Sequence, residues 1–141
     1  MHKTALLAVL AMLMSQVAAA DIVRHGFIPE AYRGTWLAGA DTDPHKFVIV
    51  LAAKTYVSPE ANCSVDWVSQ TAGGRGSIYA AHLQCFHPVE GLGNKTTANL
   101  IIVPENVDQI AVGPEFTNLT TFHRCSATCD SPRGGMNSPR S

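Results

Sequence analysis

The sequence predicts an all-β fold: a small antiparallel up-and-down β-barrel with a short N-terminal helix. Three observations predict it. Short apolar and β-branched runs recur along the chain, with turn signals every eight to twelve residues. No stretch carries the 3.6-residue period of an amphipathic helix over a useful length. Two segments, Cys63 to Ser69 and Ser77 to Phe86, alternate in polarity with a period of two, as strands covering one core must.

The chain has 141 residues, and the first twenty differ in character from the rest. Met1-His2-Lys3 precedes an apolar run from Ala5 to Met14, and Ser15-Gln16-Val17-Ala18-Ala19-Ala20 supplies small residues for cleavage. That order reads as a secretory signal peptide over 1–20, with cleavage following Ala20. The run is too short for a membrane anchor, and no later run approaches the ~20 apolar residues of a membrane-spanning helix. No cysteine follows it as a lipid anchor would require. Removing 20 residues from 141 leaves 121, enough for one domain with a single core. Lys3 is the only charge in the leader, so the remainder carries 9 Lys+Arg against 11 Asp+Glu, a net charge of −2. No basic block stands out, which argues against nucleic acid and against an anionic membrane surface as partners.

Asp21 to Gly26 reads as a flexible arm. In Phe27 to Gly34, Pro29 suits the first position of a short helix and Gly34 ends it after one or two turns. Thr35 to Ala38 is the first strand, and Gly39 to Pro44 is a turn cluster. Lys46 to Leu51 is a buried strand, and Thr55 to Val57 is a short one stopped by Ser58-Pro59. In the strand from Cys63, alternation places Cys63, Val65 and Trp67 on one face and Ser64, Asp66 and Val68 on the other. Gly73-Gly74-Arg75-Gly76 turns the chain into a long strand ending at Phe86. There Tyr79, Ala81, Leu83 and Cys85 share one face, and Ile78, Ala80, His82, Gln84 and Phe86 the other. A loop over 88–94 leads to strands at Thr96 to Val103, Val107 to Val112 and Thr117 to Cys125. Asp130 to Ser141 is polar, with two Ser-Pro pairs, and reads as a disordered tail. The domain is thus 27–129, with about eight strands. A consecutive meander is the simplest topology, and closure would remove exposed edges, which favours a monomer.

Cys63, Cys85, Cys125 and Cys129 all follow the leader. An even count in a small exported chain implies two disulfides, and four cysteines allow three connectivities. Cys63 with Cys85 is favoured, because both sit in strands joined by one glycine-rich turn; Cys125 would then close a tight loop with Cys129. The rival pairing returns Cys125 to an early strand.

Gly34-Thr35-Trp36 stands at the start of the first strand, and Arg124 at the end of the last. This arrangement resembles the lipocalin and calycin pattern, in which a short helix leads into G-x-W and an arginine from the final strand lies over the tryptophan. The resemblance implies a structural clamp of Gly34, Trp36 and Arg124, since first and last strands are neighbours in such a barrel. The chain, from Ile28 to Trp36, then Cys63-Ser64-Val65, Cys85 and Arg124-Cys125, also looks like a group of small uncharacterised exported proteins of Gram-negative bacteria. Many of those carry a cysteine just after the G-x-W tryptophan, where Leu37 stands here, so their disulfide pattern does not transfer whole. Bacterial periplasmic inhibitors of proteases and lysozymes use similar small barrels, an analogy of architecture.

Motifs for chemistry are sparse. The histidines show no zinc spacing such as HExxH, and CxxC is absent. His123 and Cys125 share a strand face, but an oxidised cysteine beside an ordinary histidine is the simpler reading. There is no G-x-S-x-G, and Ser77 belongs to hairpin chemistry. Asp41 and Asp43 supply too few oxygens for calcium. Asn62, Asn94 and Asn118 match the glycosylation acceptor pattern, which the bacterial resemblance makes incidental. Trp67 with Val65, or Ile78 with Phe86, are candidates for lining a pocket. The expectation is a non-enzymatic periplasmic or secreted binding module without metal or cofactor. A protein-binding, inhibitor-like role through a loop or the 21–26 arm is favoured over a small apolar ligand held in the barrel, and an uncharacterised enzyme is a distant third alternative.

Overall fold

A computed structural model of the chain describes residues 22–40, 45–86, 95–125 and Cys129. The leader, its cleavage point, the aspartates at 41 and 43, His87, Asn94 and the tail lie outside the described residues.

Nine strands form a single antiparallel sheet: β1 (Val23–His25), β2 (Gly34–Ala38), β3 (Phe47–Leu51), β4 (Thr55–Val57), β5 (Asn62–Thr71), β6 (Ile78–Phe86), β7 (Lys95–Asn106), β8 (Gln109–Glu115) and β9 (Asn118–Arg124). From β2 onward each strand pairs with the next, and β9 returns to β2, with Trp36 opposite Arg124 and Leu37 opposite His123. The result is an eight-stranded closed barrel with meander connectivity. The interior holds Trp36, Ile49, Leu51, Val65, Val68, Ala81, Leu83, Leu100, Ile102, Ile110, Val112 and Phe122. In β6 every second side chain from Ala81 to Cys85 is buried, the alternation that the sequence predicts.

The structure corrects three expectations. Trp67 does not share the inner face with Val65. The register shifts between Val65, opposite Leu83, and Trp67, opposite His82, so Asp66 is an extra residue in the strand. A bulge of this kind inverts the alternation beyond it. Val68 therefore turns fully inward, and Trp67 lies half-buried on the outside.

The predicted short helix is a single 3-10 turn, Glu30–Tyr32, closed by bonds from Tyr32 N to the Pro29 carbonyl (3.0 Å) and from Arg33 N to the Glu30 carbonyl (3.1 Å). Arg33 is already extended, and Gly34 follows at φ +132°, so the chain turns into β2 before an α-helical bond can form. That φ is strained for any residue with a Cβ.

The segment read as a loose arm contains β1. β6 occupies one edge of β5, and β4 covers only Asn62 to Ser64 on the other. Val65 N is met by the Lys54 carbonyl at 2.8 Å, and β1 pairs with Val68 to Gln70. The arm thus supplies the backbone partners that short β4 leaves missing.

Two disulfides are present, Cys63–Cys85 and Cys125–Cys129. The first joins directly opposed residues of β5 and β6. No described helix is long and apolar enough to cross a membrane.

Candidate functional site

The two ends of the barrel differ. At the end where β2 begins, Trp36 is completely buried, and its indole Nε1 donates to the Tyr32 carbonyl at 2.9 Å. The Arg124 guanidinium carbon lies 4.3 Å from the Trp36 ring centroid. Its Nη2 donates to the Ala31 carbonyl (2.7 Å) and its Nη1 to the Arg33 carbonyl (3.1 Å). A planar fork with a fixed charge suits this arrangement, stacking on the ring while its donors reach the exposed carbonyls of the 3-10 turn. A Cβ on residue 34 would stand 3.3 Å from Arg124 Nη1, so Gly34 keeps the fork's approach open. Arg33 Nε donates to the carbonyl of fully buried Ile28 at 2.9 Å, tying the turn to the plug. Tyr32 packs on Tyr79 with ring centroids 5.3 Å apart. Burial, and then the neighbouring Tyr79, push the Tyr32 phenol above its ordinary pKa. Gly34, Trp36 and Arg124 are therefore brought together here. A depression of about 450 Å³ lies beside them, bordered by Arg75, Glu105 and Val107.

The opposite end is open. A cavity of about 530 Å³ enters the barrel between the β4–β5 turn and the strands across from it. Phe47, Leu83, Leu100, Val112 and Phe122 give it an apolar wall, and Cys63 and Cys85 form part of that wall. Ala61 and Ala98 contribute small side chains at the rim, leaving space where larger residues would fill it. Polar groups gather on one side. Ser58 is buried and its Oγ accepts from Ala61 N (3.1 Å) and Glu60 N (3.3 Å), fixing the tight turn that ends β4. Tyr56 precedes it in the wall. Burial raises the Tyr56 phenol above its ordinary pKa, the nearby Glu60 charge adds to this, and a hydrogen bond with Ser58 opposes it. At neutral pH the phenol is therefore an uncharged hydrogen-bonding group.

The pocket pairs expected from sequence do not line this cavity. Trp67 is outside the barrel, stacked on His82 with ring centroids 3.6 Å apart and capped on its other face by Arg24 at 4.2 Å. Phe86 is 43% exposed, and Ile78 borders only a shallow depression beside Gly76. Ser77 accepts from Gln70 Nε2 at 2.8 Å, as a hairpin residue. His123 accepts from Gln109 Nε2 at 3.0 Å, while the Cys125 sulfur is committed to Cys129. Among the described residues no three of His, Cys, Asp or Glu converge on a metal position. The cavity residues the sequence did not single out include Phe47, Tyr56, Ser58, Glu60 and Phe122. The available signal was the Ser58-Pro59 stop, which shortens β4 and lowers the wall there.

One plugged end and one open, apolar mouth define the protein as a closed β-barrel with a one-ended cavity. Comparison of the chain with family models, curated proteins and solved structures gave no match.

Proposed function

We propose that this chain is a non-enzymatic binding module that holds a small, mainly apolar ligand in the mouth of its barrel. The cavity of about 530 Å³ with an apolar wall carries this reading, since ligand pockets usually span ~300–1,000 Å³ and combine apolar walls with a few placed polar groups. The inhibitor-like alternative acts through a loop or the 21–26 arm, and of these the arm is laid along β5 as β1. Lipocalin-like membership is part of the same proposal, supported by the Gly34-Thr35-Trp36 start and the Arg124 stack. So is export to the periplasm or beyond after cleavage following Ala20, supported by the leader and the two disulfides.

The test is titration of the mature protein with N-phenyl-1-naphthylamine, an uncharged apolar probe that brightens when it leaves water. Saturable one-site binding is expected. Ala98→Trp, at an exposed rim position, should abolish it without changing the circular-dichroism spectrum. No binding, or equal binding by that variant, overturns the proposal.

A further inference from the structure

The charge distribution of the mouth narrows its ligand. Glu60 is the one acidic or basic side chain among the described lining residues. It is exposed on the β4–β5 turn, and among the described residues no cation pairs with its carboxylate. No lysine or arginine is part of that lining. Lys46 and Lys95 stand at the same end, one before β3 and one at the start of β7, but neither reaches the cavity wall. The polar groups sit together, with Tyr56 and Ser58 beside Glu60, while Leu83, Val112 and Phe122 continue the apolar wall.

We propose that the mouth takes an amphiphile with a cationic head group, its apolar body against Phe47, Leu83 and Phe122 and its positive end at Glu60. This rests on the ligand-binding reading above. The plug at Trp36 closes the far end, so the ligand enters tail first and its head stays at the rim. A carboxylate head would there meet a like charge with no cation in the described lining to offset it. A neutral head would leave Glu60 without a partner. The Tyr56 hydroxyl and Ser58 supply hydrogen bonds that do not discriminate charge. An exposed ion pair is weak, so the gain for a cation over an alcohol of equal chain length is about threefold to fivefold.

The experiment displaces bound N-phenyl-1-naphthylamine with decyltrimethylammonium, 1-decanol and decanoate, each below its micelle concentration. The expected order is cation, alcohol, carboxylate. Glu60→Gln should bring cation and alcohol together, and Glu60→Lys should move decanoate to the front. Added salt should narrow the wild-type preference and leave decanol unchanged. If decanol displaces the probe as well as the cation does, the head-group assignment fails and the apolar site stands. If the probe binds but Glu60→Gln leaves the order intact, Glu60 is not the selecting group and the assignment fails. If the probe never binds, both readings fall.

Discussion

Replacing Arg124 with alanine removes the side chain that ties the last strand to the plug. Its contributions are separable. Stacking on Trp36 at 4.3 Å contributes about 1 kcal/mol for a partly exposed cation–π pair. The hydrogen bonds to the Ala31 and Arg33 carbonyls contribute about 1 kcal/mol each. The contact from Nε to Asp108 Oδ1 is long at 3.9 Å, and Asp108 is 75% exposed, so it contributes at most about 0.5 kcal/mol. Arg124→Ala should therefore destabilise the protein by about 3 kcal/mol. Arg124→Lys keeps a charge but loses the fork, and should cost about 2 kcal/mol. The assay is urea unfolding in a Trp67→Phe background, where Trp36 is the only tryptophan. With a slope near 1.5 kcal/mol/M, the alanine variant's midpoint should fall by about 2 M. Arg75→Ala is the control: it removes the same charge from a side chain with no hydrogen bond or ion pair among the described residues, and should change stability by less than about 0.5 kcal/mol. A fall of less than ~0.3 M for Arg124→Ala, with unchanged Trp36 emission, would refute the clamp reasoning.

The two disulfides should differ in weight. Cys63–Cys85 spans 22 residues and Cys125–Cys129 spans 4, so the loop-entropy relation gives about 3 kcal/mol for the first and about 2 kcal/mol for the second. Melting of the two double-serine variants checks the order. The Tyr56 proton is held more tightly in the folded than in the unfolded chain, because burial raises its pKa from 10.0 and the Glu60 charge adds to that. Stability from this source is complete below pH 10 and is lost as pH rises through the folded pKa. Tyr56→Phe should flatten that alkaline loss in melts and remove a late step from the absorbance titration at 295 nm. Arg24→Ala should uncover one face of Trp67 and loosen β1, read as faster hydrogen exchange at the amides that pair with Val68 to Gln70; unchanged exchange would mean the backbone pairs alone hold the strand.

The strand pattern was legible because it is local. Alternation in Ile78 to Phe86 and the β-branched run of Phe47 to Leu51 each record a residue's own face, and the structure keeps both. The preference for Cys63 with Cys85 followed from two strands and the turn between them, and those residues are bonded. The bulge was not legible. Val65-Asp66-Trp67-Val68 fits an unbroken strand as well as one with an extra residue, and only the opposing residues Leu83 and His82 decide between them. Nor was β1, because three residues are too few for a periodic signal and its reason for pairing lies in the short β4. The 3-10 turn differs from the expected helix by one consideration, an extended Arg33 immediately before Gly34. The mouth was hidden for a similar reason. It arises where Ala61, Ala98 and Phe122, from three separate stretches of the chain, line one opening, a relation that no window of sequence contains.

Counted around the ring, the covalent cross-link between β5 and β6 lies diametrically opposite the contact between β2 and β9. The first joint is long, pairing residues from Asn62 to Thr71 on either side of the bulge at Asp66, while the second has two registered pairs and the bond from Cys125 N to the Thr35 carbonyl. The barrel is thus a clamshell, with a sulfur-pinned hinge on one side and a short latch on the other. A second joint is as short, since β3 and β4 also share two registered pairs, but parting the latch is what uncovers Trp36, which sits opposite Arg124 there. Reducing the hinge and cutting the latch are consequently different injuries. One loosens the side that carries the mouth, and the other lets water in at the floor.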